Sequence, residues 1–234
     1  MVRLASRWSP RCFAYLRTPR LSCLAITVLT HCVVGLAPTA ADAQLDIGIR
    51  NSFPGRRIGG GTRGECWSRL YAHLVPANSV YTPGSPALIA VLEGPAKTPR
   101  PLIIELRGVL ANGSPDPNGK LVYKRTLLPE PQGITVISLA KLTQPVSWTS
   151  IYFCPEHPAP SDEPLFFVTT GEPPPLTLLL PANPSPEDQK VREALGRFSK
   201  ACGKTFPRQE LKLLFGFSDL ASDDWPDQLP VRCS

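Results

Sequence analysis

From residue 66 to residue 171 the chain alternates short apolar runs with turn-forming residues about every ten positions, the pattern of an all-β sandwich or barrel. The spacing predicts strands over 68–75, 87–92, 102–107, 120–127, 134–139, 148–154 and 165–170. Seven short strands in about one hundred residues predict an immunoglobulin-like antiparallel β-sandwich. Pro83-Gly84-Ser85-Pro86, Pro115-Asp116-Pro117-Asn118-Gly119, Pro131-Gln132-Gly133 and Pro155-Glu156-His157-Pro158 supply the connections, because proline and glycine preset turns and end pairing. A two-residue period runs through Leu121-Val122-Tyr123-Lys124-Arg125-Thr126. The same period puts Trp148, Ser150 and Tyr152 on one face of their strand and Ile151 and Phe153 on the other, so both faces are expected to be at least partly covered.

Beyond this domain, residues 172–186 read as a proline-rich linker, and the apolar island 176–180 within it is placed as an edge strand docked on the sandwich. The period then lengthens to about 3.6 residues. Ser185 is the expected N-cap, Pro186 the first helical residue, and Glu187 and Asp188 the carboxylates at the positive end of the dipole. Val191, Ala194, Leu195, Phe198 and Ala201 form the apolar stripe, and Gly203 ends the helix. A second helix is expected from about 207 to 220, carrying Leu211, Leu214 and Phe215. Residues 187–234 therefore form a small helical appendage that depends on a disulfide or on the sandwich for stability.

Upstream, Arg3, Arg7, Arg11, Arg17 and Arg20 precede the apolar stretch 21–37 and the small-residue site Ala41-Asp42-Ala43. These are the three parts of a secretory signal, so residues 1–43 are expected to be removed before Gln44, the rival reading being an uncleaved anchor helix. Cleavage leaves no stable membrane span and places the protein in the periplasm or outside the cell. It also removes five arginines and one aspartate, leaving 20 basic and 18 acidic residues in a chain whose full formal charge is +6. A near-neutral mature chain does not point to nucleic acid as a partner.

Four of the seven cysteines remain after the signal: Cys66, Cys154, Cys202 and Cys233. Four cysteines allow three connectivities. Local pairing, Cys66 with Cys154 and Cys202 with Cys233, would staple the β-rich and the helical segments separately, each bridge contributing roughly 2–4 kcal/mol in an oxidising compartment. Zinc is a poor competitor because Cys154 and His157 are the only close pair and no second pair completes four ligands.

Residues 44–65 form a lead-in that ends in Gly55-Arg56-Arg57-Ile58-Gly59-Gly60-Gly61-Thr62-Arg63-Gly64-Glu65-Cys66. With the export signal, Leu74-Val75-Pro76 and Tyr152-Phe153-Cys154-Pro155, this opening resembles an exported cyanobacterial family classed as a domain of unknown function. The resemblance spans residues 54 to 170, and Asp224-Trp225 matches an aspartate-tryptophan pair near the end of family members, whose aromatic-rich helix is not recognisable here. It implies an envelope or periplasmic location and carries no activity.

The glycine/arginine segment has two readings: a backbone nest holding an anion with Arg56, Arg57 and Arg63, or an arginine-solvated lead-in whose glycines allow positive φ and close packing. The second is favoured, because neither the Gly-Lys-Ser/Thr of a phosphate loop nor its flanking strand and helix is present. Asp116-Pro117-Asn118-Gly119 lacks the ligands of a calcium loop and reads as a turn. His157, beside Glu156, sits between prolines in an apparent turn, and no nucleophile elbow accompanies it. No catalytic residue, cofactor or metal is therefore expected. The favoured function is a non-enzymatic exported module that binds a protein or envelope component through sandwich edges or loops. The alternative is an envelope hydrolase or carbohydrate-active protein using Glu93, Glu105 and Glu130.

Overall fold

The computed structural model describes residues 48–60, 69–116, 118–153, 174–217 and 225–234. The leader, Arg63, Cys66, Cys154, His157, Asp224 and the expected strand 165–170 lie outside them. A short helix (α1, residues 48–52) leads into β1 (Ile58–Gly59), β2 (Tyr71–His73), β3 (Val80–Tyr81), β4 (Ala87–Glu93), β5 (Leu102–Gly108), β6 (Leu121–Leu127), β7 (Gly133–Leu139), β8 (Val146–Tyr152) and β9 (Leu176–Leu179). Helix α2 (Pro186–Lys200), β10 (Thr205–Pro207), α3 (Arg208–Phe215) and β11 (Gln228–Cys233) complete the order.

The strands form two facing sheets. The first has six strands in the order β1-β2-β4-β7-β11-β10 and the second has five in the order β3-β9-β8-β5-β6. The mostly β, sandwich-like architecture expected from the pattern is present, but the sheets are mixed rather than wholly antiparallel. β11 runs parallel to β7, pairing Val231 with Ile134, and β3 runs parallel to β9, pairing Val80 with Leu178. Parallel neighbours need a long connection between them, and the α2, β10, α3 segment supplies part of one.

Residues 176–179, assigned by pattern to a linker, form β9 between β3 and β8, inside the second sheet rather than at its edge. The region read as a helical appendage likewise contributes β10 and β11 to the first sheet. Its helices cover that sheet's outer side, α2 lying against β4, β7 and β11. Strands β4 and β7 are thus buried on both faces, which is why Ala87-Leu88-Ile89-Ala90-Val91-Leu92 shows no alternation.

Helix α2 begins as the sequence specifies. Ser185 Oγ accepts from the Asp188 amide at 3.2 Å, and Asp188 Oδ2 accepts from the Ser185 amide at 2.7 Å, a reciprocal capping box. The stripe Val191, Ala194, Leu195 and Phe198 is buried. Asp188 also receives Arg50 Nη2 at 2.9 Å, tying α1 to the start of α2. Helix α3 stops at Gly216, whose φ of 63° is the left-handed cap conformation that glycine adopts without strain. Cys202 and Cys233 are joined as a disulfide across a Cα–Cα distance of 5.7 Å, fastening the turn after α2 to the end of β11. Among the described residues no helix is long and apolar enough to cross a membrane.

Candidate functional site

The described part of the glycine/arginine segment, residues 55–60, is built into the sandwich. Arg56 exchanges both backbone hydrogen bonds with Leu176, at 2.9 and 2.7 Å, and its side chain is exposed. Arg57 turns inward: its Nη1 donates to the Phe215 carbonyl at 2.8 Å, and the guanidinium lies 4.5 Å from the centroid of Phe217. Phe215 ends α3, where unsatisfied carbonyls concentrate negative partial charge. Burial lowers the Arg57 pKa from its ordinary value. A side chain at Gly59 would collide with Pro175, and Gly60, at φ 111°, passes against the Arg69 carbonyl. These glycines serve close packing. Arg56 and Arg57 therefore point to different surroundings, and the third arginine of the expected contact, Arg63, lies outside the described residues.

Between the sheets lies a polar cluster that the sequence pattern did not single out. His73, on β2, stacks on Trp148 of β8 with ring centroids 3.5 Å apart and planes 9° from parallel. Its Nδ1 is 2.8 Å from Thr177 Oγ1 and its Nε2 is 2.9 Å from Ser150 Oγ. Trp148 Nε1–H donates to the same Ser150 oxygen at 3.0 Å. With the proton on Nδ1, Ser150 donates to Nε2 while accepting from the indole, and the serine is satisfied as donor and acceptor. All four side chains are fully buried. Burial holds the His73 pKa well below the usual imidazole range, so the ring is neutral. A serine beside a histidine suggests nucleophilic chemistry, but here the hydroxyl is occupied by the indole and closed to solvent. The cluster pins β2 of one sheet to β8 and β9 of the other.

The three carboxylates considered for hydrolysis fall in different settings. Glu93 is 1% exposed, with Oε1 accepting from Arg69 Nη1 and Tyr152 Oη, both at 3.0 Å. Burial, only partly offset by Arg69 and Tyr152, raises its pKa. Glu130 reaches Arg232 at 3.5 Å. Glu105 lies on the outer face of the second sheet between Lys124 Nζ and Arg107 Nη2, each at 2.9 Å. Partial burial pushes the Glu105 carboxyl up, but the hydrogen bonds and charges of Lys124 and Arg107 outweigh it and hold it below the usual range. Glu93 and Glu105 thus sit on opposite sides of the second sheet. Among the described residues no group of three or more His, Cys, Asp or Glu side chains is placed to hold a metal ion.

The most exposed of the five seven-residue strands is β6, at the end of the second sheet, with β5 as its neighbour among the described residues. The direction of its backbone groups follows from two bonds on β5 and its flank. Gly108 N–H donates to the Lys120 carbonyl at 3.0 Å, and Phe153 N–H donates to the Pro101 carbonyl at 2.8 Å. Since backbone groups alternate sides along a strand, Leu102, Ile104 and Leu106 bond toward β6, and Ile103, Glu105 and Arg107 toward β8. The β6 partners of the first set are Leu127, Arg125 and Tyr123. The N–H and C=O groups of Lys124 and Thr126 consequently point away from β5, to a side where the described residues place no strand. Val122 is 47% and Leu128 79% exposed, so the edge offers apolar side chains beside backbone groups that no described strand pairs. The two-residue alternation of this stretch is legible in the sequence; its place at the edge is not. In comparisons with known proteins, no family model, curated protein or solved structure matches this chain.

Proposed function

We propose that this chain is an exported, disulfide-containing, non-enzymatic module that binds a protein of the cell envelope by adding one of the partner's strands to β6. The observation that carries this reading is the side of β6 left without a strand by the described residues, where Lys124 and Thr126 direct hydrogen-bonding groups outward along a seven-residue strand. Main-chain bonds to an added strand supply affinity, and alternate side-chain positions supply selectivity. Export and a periplasmic or secreted location are supported by the three-part leader and by the Cys202–Cys233 bond. The opening at residues 55–66 supports membership of the exported cyanobacterial family. An immunoglobulin-like descent, the finer form of the fold reading, draws support from the antiparallel β6-β5-β8 strands and the buried Trp148, while the parallel pairs speak against it. The carboxylate hydrolase is the weaker alternative, because Glu93 is enclosed and Glu105 faces away from it.

The test replaces both Lys124 and Thr126 by proline. Their amides do not bond β5, so the substitution removes two outward donors and spares the ladder. Native chain used as bait in non-reducing envelope extract is expected to retain one partner that the double variant, equally folded by circular dichroism, loses. Equal retention by both proteins overturns the edge reading.

A further inference from the structure

We propose that the strand accepted by β6 is an extended segment with two adjacent carboxylates at its centre and apolar residues on either side, an inference that rests on the edge reading above. From Lys120 to Leu128 the edge reads Lys-Leu-Val-Tyr-Lys-Arg-Thr-Leu-Leu, with three cations, no acid and apolar residues to both sides of the Lys124-Arg125 pair. Successive residues of a strand face opposite sides, so Lys124 stands on the outer face with Glu105 and Arg107, and Arg125 stands half-buried on the core-facing side with Tyr123 and Leu127. An incoming strand therefore meets a cation on each of its two faces at adjacent positions, and adjacent carboxylates answer both.

The outer-face cation is not neutralised by its own sheet. Glu105 is shared between Lys124 and Arg107, which leaves one positive charge in surplus, and the Lys124 side chain is 52% exposed. Opposite charges directly across a strand pair stabilise and like charges destabilise. The same rule argues against a second copy of this chain as the occupant. Antiparallel pairing of two β6 edges about their central residue sets Lys124 against its own counterpart, with both Arg125 side chains one position away.

The probe is a capped eight-residue peptide of alternating valine and threonine with two adjacent glutamates at its centre. Its controls carry two glutamines or two lysines there, and a fourth peptide is the acidic one N-methylated at alternate amides. Each is titrated against the full chain, with hydrogen exchange read at the Lys124 and Thr126 amides. The acidic peptide is expected to slow exchange at both amides and to bind about tenfold more tightly than the lysine peptide, with the glutamine peptide between them. The N-methylated peptide is expected to give no protection. In the Lys124→Gln, Arg125→Gln variant the charge preference is expected to shrink toward unity. Equal binding of all three charge types, with both amides protected, overturns the acidic partner and leaves the edge reading standing. No protection by any peptide, with the two amides already slow in the free protein, overturns both.

Discussion

Acidification from pH 7 to pH 5 charges His73 in the unfolded chain while the folded protein keeps the ring neutral. The fully buried imidazole lies between Ser150, Thr177 and the face of Trp148, and burial holds its pKa well below the ordinary 6.5. The group binds fewer protons when folded, so its contribution to stability is complete above pH 6.5 and is lost as pH falls toward the depressed folded value. Below the ordinary 6.5 the unfolded chain takes up a proton that the buried ring resists, so unfolding becomes easier by up to roughly 1 kcal/mol for each pH unit until the folded ring itself titrates. Glu93 acts in the opposite sense: its raised folded pKa gives a contribution that is present at low pH and lost as pH rises. The two are separated by comparing the native chain with His73→Phe, which keeps the ring stack and removes the titration. Urea unfolding followed by tryptophan fluorescence at both pH values is the assay. His73→Phe is expected to start lower, because Ser150 and Thr177 each lose a partner at about 1–3 kcal/mol per unsatisfied group. It is also expected to lose less stability than the native chain on acidification, by on the order of 1–2 kcal/mol. Equal losses in the two proteins refute the reasoning, and so does a folded-state His73 ring that titrates near 6.5 by nuclear magnetic resonance, a measurement needing no variant.

Two further outcomes are expected. Replacing Cys202 and Cys233 together by serine opens a loop with a sequence separation of 31, which the chain-entropy treatment values at about 3.7 kcal/mol; urea midpoints of native and variant protein under oxidising conditions, compared with native protein in reductant, check it. Arg57→Ala removes a charged hydrogen bond to the end of α3 and the contact with Phe217, for an expected loss of about 2–3 kcal/mol, whereas Arg56→Ala on the exposed neighbour changes stability by less than about 0.5 kcal/mol; parallel thermal melts distinguish the two arginines.

The local elements were legible wherever a single physical rule decided them. The Ser185-Pro186 start and the apolar stripe of α2 follow from capping and period, and strands β4 to β8 follow from apolar runs cut by turn residues. What stayed hidden depends on distant partners. Residues 176–179 are four apolar positions among prolines, and only pairing with β8 and β3 makes them an interior strand. Gln228–Cys233 does alternate, with Leu229 and Val231 buried between Gln228, Pro230 and Arg232, but a six-residue run containing proline becomes a strand only because β7 holds it on one side and β10 on the other. His73 is one of two histidines after the leader, and its role is not legible in the sequence because its partners, Ser150 and Thr177, are 77 and 104 residues away along the chain. Arg57 read as a surface cation because nothing near it in the sequence announces the end of α3. The positions of the arginines were readable in advance, and their different roles were not.

The parallel pairs also govern how this chain reaches its folded state. Val80 waits for Leu178 and Ile134 for Val231, so two sheet contacts each close a span approaching one hundred residues. Loop-closure entropy is met before such contacts give anything back, and chains dominated by distant pairings fold in milliseconds to seconds rather than microseconds. During that interval β7 and β3 lack their later neighbours. For a protein proposed to be exported, slow closure would keep the chain open during transit, with the sheets becoming complete only when widely separated segments share one compartment.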